Sequence, residues 1–166
     1  MNINESYNKI LKSKEYRDFM EQNKSAYLCS CFFMLDKENN SQEIHFDYYI
    51  GSEKKMFSFK INSEITLVLL EVFDKRIQEK LNLNKNIELE NFEKLIVERM
   101  EKENIRESIK KFLYSFQCVK GKNLLLVTVF LSKLALLKVS IDISNIEIMD
   151  FEKKSFFDMV NIFRKK

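Results

Sequence analysis

The sequence predicts an α+β fold with helices packed on an antiparallel sheet, and three observations carry that prediction. Stretches that alternate apolar and polar residues recur along the chain, and others repeat apolar residues every third or fourth position. Short runs of turn-forming residues separate them. The densest apolar stretch, Ser108 to Phe151, is broken only by Lys120-Gly121-Lys122, Ser132-Lys133 and Ser144-Asn145, so it reads as a meander of four strands and as the core sheet.

Taken in order, residues 5 to 22 place Tyr7, Ile10, Leu11, Tyr16, Phe19 and Met20 on one helical face, which predicts one amphipathic helix. Asn4 is its expected N-cap, Glu5 sits in the first turn, and Asn23-Lys24-Ser25 ends it. The apolar run at 26 to 35 is too short for a typical helix and reads as a buried strand. After the polar loop Asp36 to Ser41, Ile44, Phe46, Tyr48 and Ile50 alternate against Glu43, His45, Asp47 and Tyr49, giving a second strand with one buried face. Gly51-Ser52-Glu53 is a hairpin turn, and Phe57, Phe59 and Ile61 alternate in a third strand. Ile65 to Leu70 is expected as a strand followed by a helical turn, and residues 82 to 86 as a boundary between halves.

In the second half, Phe92, Leu95, Ile96, Val97 and Met100 predict a helix over 91 to 103. Phe112, Tyr114, Phe116 and Cys118 alternate as a strand does, and Lys120-Gly121-Lys122 connects them to the next strand. Phe156, Met159, Val160 and Phe163 predict a short C-terminal helix. Helix-then-strands thus occurs twice, over 5 to 70 and 91 to 151, so the expectation is an αββββ pseudo-repeat: an N-terminal unit at 1–84 and a C-terminal unit at 85–166, separate or joined in one domain.

Composition excludes several classes. A chain of 166 residues can bury a core without disulfides or metals, and 45% apolar with 32% charged residues is a globular balance. No apolar run reaches the roughly 20 residues of a membrane helix. Basic and acidic residues number 28 and 25 and are interspersed, which argues against a nucleic-acid partner because that needs a concentrated basic face. The opening residues show no basic start followed by an apolar run, and three cysteines at uneven spacing make no disulfide framework. A cytoplasmic location with free thiols is expected.

Candidate chemistry is sparse. Cys29 and Cys31 are two apart on a strand and would share a face, so that with His45 and Cys118 they make up four zinc ligands on paper. Ligand pairs on tight knuckles are missing, and small buried thiols account for the cysteines better; no metal or cofactor is expected. His45 has a side chain suited to general base chemistry and shares its side of the strand with Asp47, but no nucleophile or oxyanion loop accompanies them. Tyr48 and Tyr49 with Phe46, Phe57 and Phe59 divide between two faces, which fits core packing better than base stacking.

Lys138-Val139-Ser140-Ile141-Asp142, the turn Ile143-Ser144-Asn145 and then Ile146-Glu147-Ile148 give a strand–Asp–turn–strand ending that resembles the PepSY family. The chain also looks like a group of small uncharacterised archaeal proteins, in which SKEYRDFMEQNKSAYLCSCFFML and the hairpin around Gly51 find counterparts. The PepSY resemblance implies one helix across an antiparallel sheet, an inhibitory or interaction role, and no catalytic residue. The expected function is therefore a non-enzymatic protein- or peptide-interaction module, with a homodimer also compatible. One alternative is a small-molecule-binding or catalytic protein whose helix–sheet pocket has His45, Asp47 and Tyr49 at its rim. Another is an inhibitor or immunity protein.

Overall fold

Strict alternation at 44–50 and the apolar run before it form the longest strands of the first half, and these pair with each other across the turn at 37–40. The computed structural model describes residues 3–71, 77–83 and 87–155. Along the chain these give α1 (Ile3–Leu11), α2 (Lys14–Gln22), β1 (Tyr27–Asp36), β2 (Ser41–Ile50), β3 (Lys55–Ile61), β4 (Ile65–Leu70), α3 (Leu89–Lys102), β5 (Ile109–Val119), β6 (Lys122–Leu131), β7 (Ala135–Asp142) and β8 (Glu147–Ser155). All eight strands form one antiparallel sheet in the order β4-β3-β2-β1-β5-β6-β7-β8.

That topology corrects the expected pair of helix-plus-meander units. An αββββ pseudo-repeat is not what the chain forms: β1 and β5 pair over Ser30 to Asp36, so the sheet is continuous through its middle. The first unit also has two helices where one was expected. Ser13 has an extended backbone (φ −72°, ψ 157°), and its hydroxyl accepts the Tyr16 N–H at 3.1 Å, so the chain stops and restarts as a second helix. Asn4 lies inside α1 and does not cap it. Its amide donates to the Leu83 carbonyl at 3.2 Å and its oxygen accepts the Ile87 N–H at 3.1 Å, which ties the crossover to the first helix.

The helices cover one face of the sheet. Tyr7 stacks on Phe46 at 5.2 Å, Phe19 packs against Tyr48, Phe57 and Phe59, and Phe92 meets Phe116 edge-on. Inward-facing Phe33, Phe112, Tyr114, Phe116, Leu125, Val127, Val129, Leu137, Val139 and Ile141 complete the core. Filling a large buried aromatic position of this kind is worth about 3–5 kcal/mol against alanine.

Ile65–Leu70 and Ile109–Val119 are strands, the first as its short apolar run and the second as its alternation predicts. The helical turn expected after Leu70 is not seen at Ile77–Leu83, which is irregular; residues 72–76, and 84–86 of the expected boundary, lie outside the described residues. Lys153–Ser155 extend β8, and the expected C-terminal helix at 156–166 also lies outside them. Gly121 turns the β5–β6 hairpin at φ +73°, a conformation that glycine adopts without a steric cost.

Candidate functional site

The four thiol and imidazole candidates do not converge. A β-bulge changes the β1–β2 register between Leu28 and Ser30, and the odd residue is Cys29. Strict alternation would put Cys29 beside Cys31. The bulge instead sets the Cys29 Sγ against the Asp47 carbonyl at 3.3 Å and the Met56 sulfur at 3.7 Å, whereas Cys31 is buried in the helix-side core. Cys118 stands at the end of β5, its Sγ 3.4 Å from Glu79 Oε2. Among the described residues no three His, Cys, Asp or Glu side chains group to hold a metal, and all three cysteines are free. Burial, reinforced by Asp47, pushes the Cys29 thiol up to about 12.

His45, Asp47 and Tyr49 lie together on the sheet face away from the helices, opposite Lys60, Ser58 and Met56 of β3. His45 packs on the Phe32 ring at 5.7 Å and has Glu43 Oε2 at 3.7 Å. Burial, aided by Lys60, lowers its pKa and favours the neutral imidazole. Asp47 is only 9% exposed; its Oδ2 accepts the Ser30 hydroxyl at 2.7 Å, while its buried Oδ1 and the fully buried Ser58 hydroxyl have no hydrogen-bond partner among the described residues. Tyr49 is buried against Tyr27. Alternation had marked this side of β2 as the polar, outward one, yet at Asp47 and Tyr49 it is buried.

A cleft of about 270 Å³ opens on the helix side instead, between α1, α2, the start of β1 and residues 80–83. Tyr7, Tyr16, Tyr27 and Tyr48 line it with Ala26, Leu28, Lys80 and Leu81. The Tyr7 and Tyr48 hydroxyls are 2.9 Å apart. Burial, and then the bond with Tyr7, raises the Tyr48 phenol far above its ordinary value, so both phenols are neutral. Sequence reading could not find this site, because its tyrosines are spread over two helices and two strands and each fits an amphipathic pattern.

The two sheet edges differ in chemistry. On β8, Glu147, Asp150, Glu152 and Lys153 are exposed and the register breaks at Met149 between the Asp150 and Ile148 pairings, which are the usual protections of an edge. On β4, the run Ile-Thr-Leu-Val-Leu-Leu has no charge, proline or bulge. Leu67, Val68 and Leu69 are exposed by 37%, 38% and 57%. Glu64 and Glu71, both exposed, bracket it.

No helix among the described residues is long and apolar enough to cross a membrane. No family model matches the chain, and no curated protein sequence matches it. Among solved structures, a "putative lipoprotein" from Clostridium difficile 630 is similar, with a TM-score of 0.55 and 12% identity over 84% of this chain and 90% of that one. At that identity the likeness is one of fold alone.

Proposed function

We propose that the chain is a peptide-interaction module that takes an extended segment of another protein onto the outer edge of β4. The observation that carries this reading is the contrast between the edges: β8 is guarded by charge and a bulge, and β4 is uncharged and apolar apart from Thr66. An edge strand presents a row of unpaired backbone donors and acceptors, and a strand added there gains main-chain hydrogen bonds while its alternate side chains select the sequence. The bracketing carboxylates fix the partner's chemistry. Pairing two copies symmetrically would set Glu64 of each against Glu71 of the other, whereas a foreign strand with lysine or arginine near both ends would meet each carboxylate with an opposite charge.

The PepSY likeness of the second half belongs to the same reading. Asp142 Oδ1 accepts the Ser144 N–H at 2.8 Å, which supports the aspartate of that ending as the turn's organiser. A cytoplasmic location fits three unpaired thiols.

The test is fluorescence anisotropy with a labelled eight-residue peptide alternating valine and threonine between terminal lysines. Saturable binding is expected, at least tenfold weaker to Val68→Lys and Leu69→Lys proteins whose circular dichroism and melting are unchanged. Equal binding by those variants, or none by the natural sequence, overturns the proposal. A dimer that Leu69→Lys dissociates would also overturn it, by giving the edge to a second copy.

A further inference from the structure

We propose that the strand taken by β4 runs antiparallel to it and is amphipathic, with large apolar side chains on the helix side of the sheet and polar ones on the open side. This rests on the reading of β4 as a docking edge and names the partner sequence that the edge selects. Which backbone groups face the partner follows from the register of β3 and β4. Ile61 lies opposite Ile65, Phe59 opposite Leu67 and Phe57 opposite Leu69. Just beyond that ladder the Asn62 N–H donates to the Glu64 carbonyl at 3.1 Å. In an antiparallel pair, opposed residues that exchange main-chain bonds alternate with opposed residues that do not. Asn62 and Glu64 are bonded, so Ile61 and Ile65 are not, and the alternation continues along the strand. Thr66, Val68 and Leu70 therefore turn their N–H and C=O groups inward to β3, and Ile65, Leu67 and Leu69 turn theirs outward to the free edge.

The same three residues carry the helix-side face of β4. Residues directly opposite each other share a face of the sheet, and Phe57 and Phe59 lie under α2, 5.2 and 5.4 Å from the Phe19 ring. Ile65, Leu67 and Leu69 continue that apolar surface outward, and α2 also touches β4. On the face without helices, Thr66, Val68 and Leu70 lie beside Lys60, Ser58 and Met56, a more polar row. An incoming antiparallel strand sets alternate residues opposite Ile65, Leu67 and Leu69. Those residues make the main-chain bonds, and their side chains land beside α2 on leucines that still face water, above all Leu69 at 57% exposure. The residues between them fall opposite Thr66 and Val68, in line with Lys60 and Ser58, which suits polar side chains. Antiparallel addition continues the pairing of all eight strands and is the more stable per residue. A parallel strand would bond through one set of residues and pack on the helix side through the other.

The peptide of alternating valine and threonine between terminal lysines has this pattern, and its backbone can be altered one nitrogen at a time. A methyl group on a nitrogen removes a donor and blocks the approach of β4 wherever that nitrogen faces the edge. In titrations of the full chain, N-methylation of the middle valine should weaken binding at least tenfold (~tenfold is the value of one main-chain bond) and N-methylation of the adjoining threonine less than threefold. On the protein, Leu69→Thr should weaken the unmodified peptide at least fivefold and Val68→Thr less than twofold. Both sites are at the surface and threonine favours strands, so circular dichroism should show both variants folded. Equal or greater damage from the methylated threonine, or from Val68→Thr, overturns this inference and leaves the edge reading standing. Indifference to both methylations, or no binding of the unmodified peptide, overturns the edge reading and this inference with it.

Discussion

Replacing Asp47 by asparagine should make the protein more stable, although it removes a buried charged group from the middle of the sheet. The carboxylate has one satisfied oxygen, Oδ2, held by Ser30 at 2.7 Å, and one buried oxygen without a donor. A buried acceptor left without a partner costs about 1–3 kcal/mol, and more when it is charged. The Asp47→Asn side chain is nearly the same size and keeps the Ser30 bond, which falls from the roughly 1.5–3 kcal/mol of a charged acceptor to about 0.5–1.5 kcal/mol. Against that loss of about 1 kcal/mol stands the relief at Oδ1. Ser58, the cross-strand neighbour, makes no hydrogen bond to residue 47, so the gain rests on removing the charge from the unsatisfied oxygen. The net expectation is a gain of about 1–2 kcal/mol, a rise in the urea midpoint of roughly 0.5–1 M at an ordinary dependence on denaturant. Urea unfolding followed by circular dichroism measures it, with Asp47→Asn/Ser58→Ala closing a double-mutant cycle. A loss of 1 kcal/mol or more in Asp47→Asn would refute the reasoning, because it would mean that the charge itself is compensated in the folded protein.

Two further outcomes follow from the same accounting. Glu79 accepts the backbone N–H groups of Lys120 and Gly121, both at 2.8 Å, and these bonds, with a contribution from Cys118, hold its pKa below the ordinary glutamate value. Its stabilising effect is therefore full above the ordinary glutamate range and lost as pH falls through the lowered folded value. The stability gap between the natural protein and Glu79→Gln should be widest near neutrality and close in acid; a gap that does not depend on pH would contradict this. Tyr114 is fully buried between Phe112 and Phe33, and its hydroxyl has no partner among the described residues. Tyr114→Phe should raise stability by about 1 kcal/mol, and a thermal melt showing a clear loss would reveal a bond to that hydroxyl.

Periodicity carried several strand assignments, because a pleated strand with one buried face must alternate: the burial of β5 and β6 does, whereas β2 and β3 alternate in residue type but are buried on both faces over part of their length. It could not give sheet order. Nothing local in β1 or β5 records that they pair, since each has aromatic residues that would pack equally well in a separate sheet; two units and one sheet have the same alternation. The helix break was carried by a single hydroxyl at Ser13, which a stripe of apolar residues passes over. The bulge at Cys29 separates the two cysteines that alternation puts on one face, because one extra residue reverses the face of everything beyond it.

The bulge also explains why the helix-free side of β1 and β2 is more than a solvated surface. By turning Cys29 toward Met56, it brings Cys29 and Ser30 onto the same side as Asp47, so that hydrogen bonds from both neighbours reach that residue, Cys29 to its carbonyl and Ser30 to its carboxylate. A regular strand would send one of the two into the helix-side core and leave Asp47 with a single contact from β1. His45, Asp47 and Tyr49 are thus placed by strand alternation, but the buried environment of Asp47 is made by an irregularity in its neighbour. A polar patch assembled in this way depends on the register of β1, and a substitution that removed the bulge would move Cys31 and Phe33 out of the core as well. That coupling ties the chemistry of one sheet face to the packing of the other.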